Sequence, residues 1–248
     1  MNVPIGLLDS GLGGFSIYYG LKEAFPHAPL IGLADQANSP YGPKTIKELE
    51  AITIKNIEIL QQYGCRHILF ACNTTSALLL ESMQNHFKHL QLKGVIDGTV
   101  AQVQQVKTIA VIATLANINS HVYKNKLQAK FPNMNVIEIV AHDLVDFIES
   151  MADEVVIYNY IEKLLEQAPH AQALILGCTH YPLVKHLFYK AKPVIMYDSI
   201  DAMVKELTPW LEDNHGDSLV LTSKDATMLK QQLNTVFKQE EDVIKVGE

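Results

Sequence analysis

The sequence predicts an α/β fold with parallel strands, because short apolar runs alternate along the chain with longer segments of helical periodicity. Residues 44–63 and 154–167 carry apolar side chains at three- and four-residue spacing, which is typical of amphipathic helices. Strands separated by helices pair in parallel through right-handed crossovers. The eight predicted strands span residues 3–8, 30–34, 67–71, 108–113, 135–140, 173–176, 194–196 and 218–221.

Polar side chains follow several of these strands at the point where each strand ends. Asp9-Ser10 follows the first strand, Asp35 the second, Cys72-Asn73 the third, and Cys178-Thr179 a later one. Ligands of parallel sheets bind at the carboxyl ends of the strands. We therefore expect these side chains to face a common binding site.

The chain also shows signs of an internal duplication. Cys72 and Cys178 are 106 positions apart, and the apolar runs 5–9 and 109–113 are 104 positions apart. A nearly constant offset predicts two similar parallel-sheet lobes related by a pseudo-two-fold axis, with the site in the cleft between them. We assign residues 1–95 and 208–248 to the first lobe and residues 96–207 to the second. Chance similarity of apolar runs is the alternative.

Composition and charge exclude several classes of protein. The 248 residues are 48 % hydrophobic and 19 % charged, as in an ordinary globular protein. The net charge of −7 argues against a nucleic-acid partner, which requires clustered Lys and Arg. Three cysteines do not form a disulfide framework, and an odd number suits a reducing compartment. We expect a cytoplasmic protein with no signal peptide and no membrane-spanning segment.

Two glycine-containing loops are candidate ligand-binding segments. Residues 9–14, Asp-Ser-Gly-Leu-Gly-Gly, resemble a phosphate-binding fingerprint, but Ser16 stands where that fingerprint has its third glycine. The glycines suit a backbone that passes close to a ligand, or a structural turn that caps a helix. In the second loop, residues 38–43, backbone N–H groups and the Tyr41 hydroxyl are placed to reach an anionic group. A plain surface loop is the alternative there.

The cysteines allow several interpretations. Cys65 fits a buried packing role, whereas Cys72 and Cys178 each lie where a strand ends and backbone N–H groups stabilise a thiolate. One such thiol with His180 and Asp9 suggests a cysteine hydrolase. A zinc site would need more ligands at closer spacing. Two matched thiols suit the transfer of a proton on and off one carbon from opposite faces.

Four ordered motifs, DSGLGG, SPYG, ACNTTSA and LGCTHYPL, resemble the signatures of the cofactor-independent glutamate racemases, within the aspartate/glutamate racemase superfamily. The resemblance runs from about residue 5 to residue 199. It implies two α/β lobes that enclose the substrate and interconvert L- and D-glutamate, without pyridoxal phosphate or a metal ion. It also implies a supply of D-glutamate for peptidoglycan and a homodimeric assembly.

The resemblance assigns a role to each matching residue. Cys72 and Cys178 would be the two acid/bases, with Asp9 and His180 assisting their proton transfers. Glu149 would lie near the site. The substrate-binding residues would be Ser10 and Asp9 near the ammonium, Asn73, Thr74 and Thr179 at the α-carboxylate, and Tyr41 and Gly42 at the side-chain carboxylate.

The chain departs from the family pattern before the SPYG motif. The family usually has Asp-Thr-Ala-Arg where this chain has Asp35-Gln36-Ala37-Asn38. An aspartate-selective or broader amino-acid racemase, and a catalytically silent amino-acid-binding protein on the same scaffold, remain the alternative functions.

Overall fold

The computed structural model describes residues 3–247 and contains two parallel β-sheets. Within that range the strands are β1 (Ile5–Asp9), β2 (Leu30–Ala34), β3 (His67–Phe70), β4 (Gln91–Gly94), β5 (Thr108–Ala113), β6 (Asn135–Val140), β7 (Ala173–Gly177), β8 (Ile195–Tyr197), β9 (Leu219–Thr222) and β10 (Val243–Lys245).

Helices connect these strands and cover the sheets. They are α1 (Phe15–Ala24), α2 (Ile46–Gln62), α3 (Asn73–Leu78), α4 (Leu80–His86), α5 (Val95–Gln102), α6 (Leu115–Ser120), α7 (Val122–Lys130), α8 (Leu144–Glu149), α9 (Glu154–Leu165), α10 (Lys185–Ala191), α11 (Ser199–Leu211) and α12 (Ala226–Phe237). A short 3₁₀-helix, Tyr181–Val184, precedes α10. No helix in the described part of the chain is long and apolar enough to cross a membrane.

The two sheets repeat one strand order. The six-stranded sheet runs β10-β9-β2-β1-β3-β4 and the four-stranded sheet runs β6-β5-β7-β8, so β5–β8 reproduce the arrangement of β1–β4. All pairings are parallel. We call the sheets with their helices the six-stranded lobe and the four-stranded lobe. Cys72 follows β3 and Cys178 follows β7, so the two thiols occupy equivalent positions in the repeat.

The predicted α/β fold with two parallel sheets is confirmed. All eight predicted strands occur, with ends displaced by no more than two residues. The strands β4 and β10 were not predicted, because both lie at sheet edges and carry exposed or charged side chains in place of an apolar run. The residue bounds proposed for the two lobes stay a prediction.

Burial explains why the central strands could be recognised. All residues of β1, β2 and β7 are buried, as expected for parallel strands that are covered on both faces. The long helix α2 begins at a capping box, in which the Thr45 hydroxyl accepts the Glu48 N–H and the Glu48 carboxylate accepts the Thr45 N–H. This cap holds the loop before α2, which forms one wall of the cavity described below.

Helix α5 and its connection to β5 join the two lobes along the chain. Gly98 allows close packing of α5 on α11, because a Cβ at that position would collide with the Met203 side chain. The C-terminal end of α5 is capped by Lys130 of α7, whose Nζ donates to the carbonyls of Val100, Ala101 and Val103 at 3.0, 2.7 and 3.0 Å. This lysine satisfies carbonyl groups that the helix end leaves unpaired.

Candidate active site

A cavity of about 280 Å³ lies at the carboxyl ends of the strands, between the two lobes. It brings together most of the predicted site residues, which come from four separate parts of the chain. Those that line it are Ser10, Tyr41, Gly42, Cys72, Asn73, Thr74, Cys178, Thr179 and His180. The described residues that line the cavity include no Lys and no Arg. Its size and its set of neutral donors suit a small polar metabolite.

Cys72 lies at the N-terminus of α3, directly after β3. The backbone N–H groups of Thr74 and Thr75 point at its sulfur. Burial and the neighbouring Asp9 nevertheless raise the pKa of Cys72 to about 12, and those two N–H groups only moderate the rise. The expectation of a lowered Cys72 pKa is therefore wrong, because removal of the thiolate from water outweighs the helix N-terminus. At neutral pH Cys72 is a thiol.

Cys178 has a different partner. Its Sγ lies 3.7 Å from Nδ1 of His180, and the His180 Nε2 lies 2.9 Å from Oε1 of Glu149. Burial alone would lower the pKa of His180, but the bonds to Cys178 and Glu149 overcome it and raise that pKa to about 10. The ring is then an imidazolium at neutral pH that donates to both partners. An imidazolium in this position stabilises negative charge on the Cys178 sulfur. Cys178 is not followed directly by an α-helix as Cys72 is, since a 3₁₀-helix begins at Tyr181.

Asp9 and Glu149 lie just behind the cavity wall. Asp9 is buried and accepts hydrogen bonds from the Gly11 N–H at 2.9 Å and the Thr179 hydroxyl at 3.2 Å. Burial raises the pKa of Asp9 above its ordinary value, although the positive charge of His180 opposes this rise. A carboxylate with a raised pKa next to Cys72 is a suitable acceptor for the proton of that thiol. Glu149 also accepts the Leu12 N–H, and its own pKa is lowered, chiefly by the bond to His180.

Two glycines of the DSGLGG loop explain its composition. A Cβ at Gly13 would lie 2.5 Å from both the His180 Nδ1 and the Thr179 Oγ1, and one at Gly14 would collide with the Asp9 side chain. The loop therefore needs glycine so that the six-stranded lobe can close against His180 and Thr179. The close backbone approach observed here is to the side chains of His180, Thr179 and Asp9, and the predicted approach to a ligand stays a prediction.

Tyr41 lines the cavity, but its hydroxyl is already engaged. It donates to the Asp35 carboxylate at 2.6 Å, and burial, followed by Asp35, raises the pKa of Tyr41 well above its ordinary value. The single hydroxyl proton is thus not available to an anionic ligand. The predicted ligand contact through this hydroxyl is corrected on that ground, and only backbone N–H groups of the Tyr41–Gly42 segment remain as donors.

The Asp35 carboxylate organises the wall that contains Tyr41. Asp35 is fully buried and accepts from the Asn38 amide at 2.9 Å, the Asn56 amide at 3.0 Å and the Ser223 hydroxyl at 2.6 Å, besides Tyr41. Asn38, which replaces the arginine usual in the family pattern, contacts both carboxylate oxygens. Neutral donors thus satisfy this buried carboxylate.

Asn73 and Thr74 face the four-stranded lobe across the cleft. The Thr74 hydroxyl lies 3.3 Å from the hydroxyl of Thr114, a cavity residue that was not predicted. Thr114 follows β5 as Ser10 follows β1, and the two are 104 positions apart, which is the offset of the internal duplication. That offset was the signal that could have identified Thr114. His142 and Leu115 also line the cavity and were not predicted.

Comparisons with known proteins agree with this geometry. Residues 16–207 match the model of the Asp/Glu/hydantoin racemase family, which is more than half of the chain. The chain belongs to this family.

Relatives in the family include proteins of similar length. The chain is 36 % identical over 197 residues to a glutamate racemase of Lactobacillus helveticus, which covers 77 % of this chain and 73 % of the relative. A crystal structure of the glutamate racemase of Francisella tularensis in complex with D-glutamate superposes with a TM-score of 0.90 at 28 % identity, covering 99 % and 98 % of the two chains. The glutamate racemase isoform RacE1 of Bacillus anthracis superposes with a TM-score of 0.92 at 24 % identity, covering 99 % and 97 %, and supports the fold.

Proposed function

We propose that this protein is a glutamate racemase that moves the Cα proton between two thiols, Cys72 and Cys178. The observation that carries the proposal is the convergence of these two cysteines, each from the end of an equivalent strand, on one cavity between the lobes. Relatives of this chain are glutamate racemases, and the Francisella enzyme was crystallised with D-glutamate. Inversion of a stereocentre needs one base and one acid on opposite faces of the carbon, and the paired thiols supply both.

The two thiols have different neighbours. Cys178 lies beside the His180 imidazolium, whereas Cys72 lies near Asp9 and holds a proton because its pKa is raised. For one enantiomer, the Cys178 thiolate removes the Cα proton as the Cys72 thiol delivers its own proton to the opposite face. For the other enantiomer, Asp9 first accepts the Cys72 proton and the His180 imidazolium gives a proton to Cys178, so that Cys72 becomes the base and Cys178 the acid. Each sulfur therefore acts as a base in one direction and as an acid in the other.

Neutral donors hold the substrate in this proposal. Asn73, Thr74 and Thr179 bind the α-carboxylate, and backbone N–H groups of Tyr41–Gly42 bind the side-chain carboxylate. Asp9 and Ser10 lie near the ammonium. Because Asn73, Thr74 and Thr179 are buried, their hydrogen bonds to a carboxylate compete little with water. The family resemblance supports a cytoplasmic homodimer that supplies D-glutamate for peptidoglycan. Light scattering of the purified chain tests the dimer.

Hydrogen–deuterium exchange at Cα is the decisive test. Purified enzyme in D₂O with L-glutamate, and separately with D-glutamate, should incorporate deuterium at Cα as the optical rotation decays to zero. Cys72→Ala and Cys178→Ala should each abolish racemisation, whereas Cys65→Ala is the matched control, because Cys65 is buried outside the cavity. Full activity of either single active-site variant would disprove the two-thiol mechanism. Faster turnover of aspartate would assign the chain to aspartate, and tight glutamate binding without exchange would indicate a binding protein.

A further inference from the structure

The orientation of one carboxamide in the cavity is set from the opposite lobe. Asn73 begins α3 in the six-stranded lobe, and Tyr123 lies in α7 of the four-stranded lobe. The Tyr123 hydroxyl donates to Oδ1 of Asn73 at 2.7 Å, and both side chains are almost fully buried. In addition, the Asn117 side-chain amide donates to the Asn73 backbone carbonyl at 3.2 Å. Asn73 is therefore held at two atoms by the other lobe.

The remaining group of this amide has no partner. The Asn73 Nδ2 is buried and makes no hydrogen bond within the described structure, although Asn73 lines the cavity. A buried amide N–H₂ without an acceptor costs about 1–3 kcal/mol, so an unpartnered donor here indicates an acceptor supplied by a ligand. A carboxylate offers such an acceptor. With Oδ1 bound to Tyr123, the Nδ2 group is the only end of the amide that can meet it.

We propose that Tyr123 is a positioning residue that fixes the Asn73 amide so that its N–H₂ group, and not its carbonyl, faces the substrate carboxylate. In the orientation observed, the Tyr123 hydroxyl donates its proton to the amide oxygen, which engages the carbonyl end of the amide and leaves its N–H₂ group for the ligand. The reversed orientation would present a carbonyl oxygen to an anionic carboxylate and repel it. Since Tyr123 reaches Asn73 across the cleft, the carboxylate site is complete only when the two lobes are closed. This inference rests on the proposed function of the cavity.

The test is Tyr123→Phe, which removes the hydroxyl and keeps the ring. The variant loses the hydrogen bond that orients the Asn73 amide toward the ligand. KM for both glutamate enantiomers should therefore rise roughly three- to tenfold. The kcat should change by less than about twofold, because neither thiol loses a contact. Tyr18→Phe is the matched control, since Tyr18 is equally buried and its hydroxyl makes no bond to Asn73. A purely structural role would lower the melting temperature of Tyr123→Phe without raising KM selectively.

A double-mutant cycle separates this role from a general loss of packing. In an Asn73→Ala background, Tyr123→Phe should have less than about a twofold further effect on D-glutamate affinity, measured by calorimetry. The Asn73 side-chain amide signal in a ¹⁵N correlation spectrum, identified by its loss in Asn73→Ala, should shift or broaden in Tyr123→Phe. An unchanged KM in the single variant, or an unchanged amide signal, would overturn the inference. Absence of Cα exchange in the unmodified enzyme would instead refute the proposed function, while calorimetry would still report on the Tyr123 contact.

Discussion

Glu149→Gln tests the charge network around Cys178. The substitution preserves the shape of the side chain and leaves an oxygen that can accept the His180 Nε2–H, now 2.9 Å from Glu149 Oε1. It removes the negative charge that helps to keep His180 an imidazolium. A hydrogen bond to a charged group is worth about 1.5–3 kcal/mol and a neutral one about 0.5–1.5 kcal/mol. The difference between the two hydrogen-bond energies is about 1–1.5 kcal/mol. We use the lower end of this range because the Glu149 side chain is 32 % exposed, so that solvent screens its charge.

This loss of about 1 kcal/mol corresponds to a fall of about 0.7 unit in the pKa of His180, since one unit equals about 1.4 kcal/mol. The pKa of His180 should therefore fall from about 10 by that amount. NMR titration of the His180 ring measures it directly, and the alkaline limb of the kcat/KM profile should shift downward by the same amount. Activity at pH 7 should fall only several-fold, because the ring stays protonated there.

The chain contains a matched control for this experiment. His121 Nδ1 lies 2.8 Å from Glu138 Oε2 in a second histidine–glutamate pair that does not line the cavity. Glu138→Gln should leave the alkaline limb and the His180 titration unchanged. If Glu149→Gln also leaves both unchanged, Glu149 does not maintain the imidazolium beside Cys178.

Three further perturbations test other parts of the structure. Gly13→Ala places a Cβ 2.5 Å from the His180 Nδ1 and Thr179 Oγ1 and should reduce kcat at least tenfold, whereas wild-type kcat would show that the loop need not approach these side chains. Lys130→Met removes three hydrogen bonds from the end of α5 and should lower the free energy of unfolding in urea by about 1–3 kcal/mol. Lys126→Met, which removes only an exposed ion pair, should cost less than about 1 kcal/mol, and equal losses would contradict the capping role. The folded-state pKa of His180 is raised from 6.5 to about 10, so its stabilisation is complete below about pH 6.5 and is lost as pH rises through 10. The unfolding free energy should fall across that window by about 1.4 kcal/mol per pH unit for this one proton, and His180→Asn should flatten the slope.

Much of the fold could be predicted because buried parallel strands have a strong sequence pattern. The runs that became β1, β2 and β7 are continuously apolar and are bounded by polar or turn residues. The edge strand β4, Gln-Leu-Lys-Gly, alternates polar and apolar side chains over only four residues, and such a short pattern does not distinguish a strand from a loop. The internal offset identified the two cysteines without any knowledge of packing.

Other features of the site depend on distances between side chains that are remote in sequence. The Tyr41 hydroxyl donates to Asp35 because of the path that the loop before α2 takes after β2. Local propensity does not specify that path. The contact of Tyr123 with Asn73 depends on how the two lobes close. The error about the Cys72 pKa has a similar origin, because the local helix start was visible in the sequence but the depth of burial was not.

The duplication of the fold does not extend to the partners of the two thiols. Equivalent strands place Cys72 and Cys178 in equivalent positions, yet Cys72 lies near a carboxylate, Asp9, and Cys178 contacts an imidazolium, His180. In the proposed mechanism, Asp9 accepts a proton from the Cys72 thiol and the His180 imidazolium donates one to Cys178. Each direction of the proposed reaction needs one sulfur protonated and the other unprotonated, and these unlike neighbours would let the two sulfurs exchange those roles.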